Sequence, residues 1–172
     1  MLIINCSPRI GGNSDLIETF VSSHLQKKKI DHKILRLRDV DMKMPDHCYD
    51  CAVGNWCKNI KDDIDSKIIP LIKEYNQWLV ITPTICGHAS TLFKIFIDRL
   101  APLYHDDRIG FFHELSIKAI IHGQVNESWK VLVDWFKDFQ RWTGLKSFDY
   151  IGFVSSSEKG FKLPDKKIEE FL

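Results

Sequence analysis

The residues best suited to chemistry stand together near the start of the chain: Cys6-Ser7-Pro8-Arg9-Ile10-Gly11-Gly12-Asn13-Ser14. An apolar run, Leu2-Ile3-Ile4, precedes them and reads as a buried strand; Asp15 to Val21 follows and reads as a helix. The first N–H groups of a helix have no internal acceptor, and the helix dipole favours negative charge there. Gly11 and Gly12 let backbone approach a ligand closely. Ser7, Asn13 and Ser14 add neutral hydrogen-bonding groups, and Arg9 adds a cation suited to phosphate. The stretch is expected to bind a phosphate group. It lacks the G-x-G-x-x-G dinucleotide fingerprint and the G-x-x-x-x-G-K-[ST] loop of nucleotide hydrolases. It is also not a thiolate phosphatase cradle, because Gly12 stands six residues after Cys6, where an arginine is needed. A plain strand-to-helix turn, capped by Asn13 or Ser14, is the alternative reading.

These groups need a scaffold, and the remaining chain describes one. At 172 residues a single domain, 1–172, is expected. Lysine and arginine number 24 against 23 acidic residues, for a formal net charge of +1. That balance gives no electrostatic drive towards nucleic acid or an anionic membrane. No apolar run reaches the ~20 residues of a membrane span, and the N-terminus is too short for a secretory signal. A cytoplasmic location is expected, with its five cysteines reduced.

Hydrophobic periodicity places a first helix over Asn13–Gln26, with Leu16, Ile17, Phe20, Val21 and Leu25 inward. Ile34–Leu37 reads as a short strand, interrupted by Arg36 and Arg38 and therefore at the sheet edge. Residues 39–63 lose all periodicity and form a polar insertion with three cysteines. A helix over Ile64–Glu74 follows, in which Pro70 implies a kink or a late start. Trp78–Ile81 is the third strand and ends in Pro83-Thr84-Ile85-Cys86-Gly87-His88. Ser90–Leu100 is the third helix, stopped by Pro102, and an irregular segment runs to residue 115. Ile117–His122 is the fourth strand, with the loop Gly123–Asn126 after it. Glu127–Thr143 is a helix closed by Gly144, Tyr150–Val154 the fifth strand, and Pro164–Phe171 a last helix.

Strands alternating with helices imply a parallel sheet covered on both faces. Five strands suit the order 2-1-3-4-5, an α/β three-layer sandwich, with ligand at the carboxyl ends of strands one and three. The loops Ser7–Ser14, Pro83–His88 and Gly123–Asn126 would then converge. The helix at Glu127–Thr143 is apolar over a wider arc than a sheet-covering helix needs. Two covers are open: a second copy of the chain, as dimer or tetramer, or the 102–115 segment.

These motifs resemble the flavodoxin-like superfamily, and within it the NADPH-dependent FMN reductases and iron–sulfur flavoproteins. C-S-P-R-x-G-G-N-S resembles their phosphate loop, Pro83 to Arg99 their flavin-ring loop and following helix, and the cysteine insertion with Asp62-Asp63 the segment before their second helix. The resemblance implies FMN, with its phosphate on Ser7, Arg9, Gly12, Asn13 and Ser14. Its ring would lie against Pro83, Thr84, Ile85, Cys86 and Gly87, with Gly123 and Gln124 at the other edge. NAD(P)H would be the co-substrate and a small molecule or electron carrier the acceptor. The protein would supply position and electrostatics rather than a nucleophile, so no catalytic residue is implied. The family commonly has an aromatic two residues after the proline; Ile85 stands there. Two alternatives share the fold: a non-enzymatic electron carrier, usually strongly acidic, and a metal-binding module without flavin.

Iron–sulfur members resemble C-x2-C-x2-C-x4-5-C in the insertion. Here Cys48 and Cys51 are followed by Gly54 where a cysteine would fall, and then by Cys57. Three thiolates are one short of a four-iron cluster. With His47 they make a Cys3His set for zinc. Thiols that pack or do redox work without metal are the third reading. Cys6 and Cys86, at strand ends, read as core thiols. His122 is the histidine placed nearest the proposed flavin, and Asp98-Arg99 suits an ion pair, a helix-end contact or a subunit contact.

Overall fold

Five apolar runs become five parallel strands in the computed structural model, which describes residues 1–46, 48–50, 60–105, 110–125, 127–155 and 161–172. They are β1 (Leu2–Asn5), β2 (Lys33–Arg36), β3 (Gln77–Pro83), β4 (Ser116–Gly123) and β5 (Ser147–Val154), in the order β2-β1-β3-β4-β5. Register pairs Ile4 with Leu35 and Val80, and Ala119 with Tyr150. β1 is buried along its whole length, whereas β2, at the edge, buries only Leu35. The expected order and the edge position of the second strand both hold.

Alternation along each strand sends side chains to two cores. Ile3, Leu79, Ile81 and Ile120 pack on α1 (Asn13–Lys27) and α6 (Asp165–Phe171). Leu2, Ile4, Trp78, Val80, Ala119 and Ile121 face α2 (Ile69–Lys73), α3 (Thr91–Arg99) and α5 (Lys130–Thr143). Pro70 delays its helix: residues Ile64–Ile68 form a wide turn, and regular α-helix begins only at Ile69.

Three expectations need correction. Leu16 is 53% exposed, not inward. The inner stripe of α1 is Ser14, Ile17, Glu18, Val21 and Leu25, so two polar residues hold places that an apolarity pattern gives to leucine. Neither Asn13 nor Ser14 caps α1; the cap is Gly12, with no side-chain bond, because both side chains are engaged elsewhere. Pro102 does not end the helical path. α3 closes at Leu100, and Pro102 sits in the first turn of a short helix α4 (Ala101–His105), where no amide donor is needed.

The wide arc of α5 is partly covered. Phe112, from the turn Phe111–Glu114, meets Phe139 edge-on at 5.5 Å, and Trp135 stacks on Phe139 at 5.2 Å. The 102–115 segment therefore supplies some of the cover, while Val131 and Trp142 stay 52% and 73% exposed. Among the described residues no helix is long and apolar enough to cross a membrane.

Candidate functional site

At the carboxyl edge of the sheet the loops after β1, β3, β4 and β5 enclose a cleft of about 520 Å³. Ser7, Arg9 and Asn13 line it on one side, Pro83 to Gly87 on another, and Gly123 and Gln124 on a third. Of the twelve residues expected at the site, Gly12 and Ser14 are not on its wall. His122, Ser128 and Ser155 are, and the last two escaped the sequence reading. Ser128 belongs to the turn before α5, which the sequence reads as helix. Ser155 follows β5, whose carboxyl end lies beside that of β4 in any parallel sheet of this order.

The first loop is shaped from beneath. Asn5 is fully buried; its side-chain Oδ1 accepts the Ser7 amide at 3.0 Å, and its Nδ2 donates to Asp15 at 2.8 Å and Glu18 at 2.7 Å. Gly11 takes φ +70°, a conformation glycine adopts without strain, and donates its N–H to Asp15 Oδ2 at 2.7 Å. Arg38 pairs with Asp15 at 2.9 Å and also donates to the Ser7 and Arg9 carbonyls. Arg36 pairs with the buried Glu18 at 2.6 Å. Partial burial pushes the Asp15 carboxyl up, but the Gly11 amide, Arg38 and Asn5 outweigh it and leave its pKa lowered.

Above this support the loop is left open. No described acceptor takes the amide hydrogens of Gly12, Asn13 or Ser14. Arg9 is exposed, lines the cleft and makes no ion pair among the described residues. No carboxylate among the described residues lines the cleft. Three amides without a described acceptor at the start of α1, that of Asn13 on the cleft wall beside the exposed guanidinium of Arg9, fit a phosphate ester.

The opposite wall is built by close packing. Thr84 donates its amide to the His122 carbonyl at 2.7 Å, and its hydroxyl meets Ser128 Oγ at 3.0 Å. That pair crosses directly over Gly123, where a Cβ would stand 2.1 Å from Thr84 Oγ1 and 2.4 Å from Ser128 Oγ. Ile85 and His88 exchange backbone hydrogen bonds of 2.8 and 3.1 Å around Cys86 and Gly87, whose φ values are +50° and +81°. Both central residues are left-handed, as a two-residue hairpin turn demands. Cys86 at this tip is exposed, which corrects its reading as a core thiol. Cys6 is buried, and desolvation raises its pKa well above the usual thiol value.

His122 lies behind the cleft, 4% exposed. Its Nε2 is 2.8 Å from Ser14 Oγ and its Nδ1 2.8 Å from Ser155 Oγ. Burial and the nearby charge of Arg9 bring its pKa down to about 4, so the ring is neutral.

Cys48 of the insertion is exposed, whereas His47, Cys51 and Cys57 lie outside the described residues. No group that would hold a metal ion occurs among the described residues. Asp62 and Arg99, both with fully buried side chains, pair at 3.0 Å and tie the insertion to α3. Arg99 is thus in an ion pair with Asp62, while Asp98 pairs with Lys94 one turn earlier.

A doubly wound sheet whose cleft carries an open helix N-terminus on one side and a tight hairpin on the other defines a flavodoxin-like protein. The chain belongs to the NADPH-dependent FMN reductase family, whose model matches residues 1–142. It is by that membership an FMN-dependent oxidoreductase using NAD(P)H. No curated protein matches it in sequence. Among solved structures it is similar to an NAD(P)H:quinone oxidoreductase from Methanothermobacter marburgensis (TM-score 0.67, 10% identity, 98% of this chain and 88% of that one). It is also similar to an FMN-dependent NADH-azoreductase from Bacillus anthracis in complex with FMN (0.58, 15%, 98% and 91%). A flavodoxin from Streptococcus pneumoniae matches likewise (0.58, 16%, 99% and 92%). At these identities the likeness is one of fold.

Proposed function

We propose that the cleft seats FMN with its phosphate at the loop Ser7–Ser14 and its ring between Pro83–Gly87 and Gly123–Gln124, and that a small planar acceptor is reduced there. The observation that carries this reading is the set of unpaired amides at Gly12, Asn13 and Ser14 beside the uncommitted Arg9. When bound, the flavin supplies the redox chemistry, taking hydride from NAD(P)H and passing electrons on. Arg9 binds the phosphate by charge, and the three amides orient it. The hairpin and the Thr84–Ser128 pair hold the ring-side wall and exclude water, and the exposed Ile85 gives that wall an apolar edge. The reading takes residues 1–172 as one domain.

Titration of FMN into the purified protein, followed by flavin fluorescence, tests it. Quenching is expected, with Arg9→Ala weakening FMN about tenfold and riboflavin much less, together with steady NAD(P)H oxidation in the presence of a quinone. A colourless protein that leaves FMN fluorescence unchanged refutes it. A cytoplasmic setting fits the free thiols of Cys6, Cys48 and Cys86. The exposed Val131 and Trp142 on α5 fit a contact with a second copy, which sedimentation at varied concentration would detect.

A further inference from the structure

We propose that His122 is a positioning residue that sets the preference of this cleft for a phosphate ester, by fixing the first turn of α1 against the ends of β4 and β5. This rests on the phosphate lying at the loop Ser7–Ser14.

The geometry is a bridge with both ends occupied. One ring nitrogen meets Ser14, in the first turn of α1, and the other meets Ser155, just after β5, each at 2.8 Å. Ser155 is itself anchored: its amide donates to the Gly123 carbonyl at 2.7 Å, and its own carbonyl accepts from Asn13 Nδ2 at 3.3 Å. Two consecutive residues of α1, both with open amides, are therefore tied by their side chains to the far side of the sheet. The Ser155 hydroxyl donates towards the Gly123 carbonyl at 3.4 Å, which leaves a lone pair to accept from Nδ1–H. Nε2 then accepts from the Ser14 hydroxyl, a tautomer assigned from the bonding pattern. Ser14 accordingly offers a phosphate its amide rather than its hydroxyl.

The ring is held for this task and adds no charge. It is buried and stacks on Phe153 at 6.3 Å and 18°. Arg9 is the charged group whose field reaches it, and Ser14, Ser155 and Phe153 are its uncharged neighbours. A shift of a fraction of an ångström in the first turn would spoil hydrogen bonds to phosphate while leaving the ring-side wall unchanged. The expected signature is a loss confined to the phosphorylated ligand.

The test is titration of FMN and of riboflavin into the wild-type protein, His122→Phe, Ser14→Ala and the double variant. Phenylalanine keeps the stack on Phe153 and removes both hydrogen bonds. His122→Phe is expected to weaken FMN at least tenfold and riboflavin less than threefold. Ser14→Ala is expected to do the same more mildly, and the double variant to match His122→Phe alone, because the two residues act through one bond. Retained riboflavin binding reports an intact cleft. Equal losses of both ligands, an unchanged ratio in His122→Phe, or additive effects in the double variant would overturn the proposal. A wild-type protein that binds FMN no more tightly than riboflavin would instead remove the phosphate reading beneath it.

Discussion

Below the loop that follows β1, Asp15 and Glu18 meet Arg38 and Arg36 in a charged cluster. Behind the same loop, Asn13 and Ser14 meet Ser155 and His122 through neutral hydrogen bonds. Both clusters grip the first turns of α1, from opposite sides of the sheet axis. The charged one is self-compensating: Arg36 faces Glu18, and Arg38 faces Asp15 with Asp39 at 3.9 Å, so no cation is left over for a ligand. The neutral one borders the cleft and brings no charge of its own. What remains uncommitted is Arg9 and a row of amides. Three arginines thus lie near one loop, two fixing its shape and one left free, and only their partners distinguish them.

The largest expected effect separates the clusters by pH. His122 is neutral in the fold with a pKa of about 4, whereas the unfolded chain protonates it near 6.5. As pH falls through that window the unfolded state gains a proton that the native state refuses. Stability is therefore intact above about 6.5 and falls by about 3 kcal/mol on reaching pH 4. Denaturant melts across this range should show the loss in wild type and a shallower slope in His122→Phe. A loss beginning only below pH 4 would assign acid sensitivity to Asp15 and its neighbours instead.

Next in size is Arg36→Ala, which leaves the Glu18 carboxylate buried with Asn5 as its remaining partner. Arg36 is itself 42% exposed, so the cost of a broken buried pair is discounted to about 2 kcal/mol. Chemical denaturation measures it, and a change below 0.5 kcal/mol would show the charged cluster to be idle. On the neutral side, Gly123→Ala forces Thr84 and Ser128 apart and should cost about tenfold in FMN affinity, or ~1.4 kcal/mol, read by fluorescence titration. The smallest effect sharpens the contrast among the arginines. Arg9→Ala should alter folding stability by less than about 0.5 kcal/mol, as for a surface side chain without partners.

The strands were legible because β1 and β3 carry continuous apolar runs and β4 is broken only by Lys118, and runs of that length bounded by loops have few other homes. Their order followed from the strand–helix alternation, and the three converging loops followed from the order. What stayed hidden was polar burial. Ser14 and Glu18 occupy the inward stripe of α1 because His122, Arg36 and Asn5 satisfy them, and those partners lie between 13 and 108 residues away in sequence. Arg36 and Arg38 were visible only as interruptions of an edge strand. Ser155 carried no local signal, since its role arises from β5 ending beside β4. Cys86 was misjudged because a hairpin of two left-handed residues looks, in sequence, like the end of a buried strand.

The crossing of Thr84 and Ser128 above Gly123 binds three positions into one unit of variation. A larger residue at 123 is compatible with this backbone only if both flanking hydroxyl side chains shrink together. Redesign of the ring-side wall for a different acceptor therefore has to treat 84, 123 and 128 as a single site, whatever is done at Ile85.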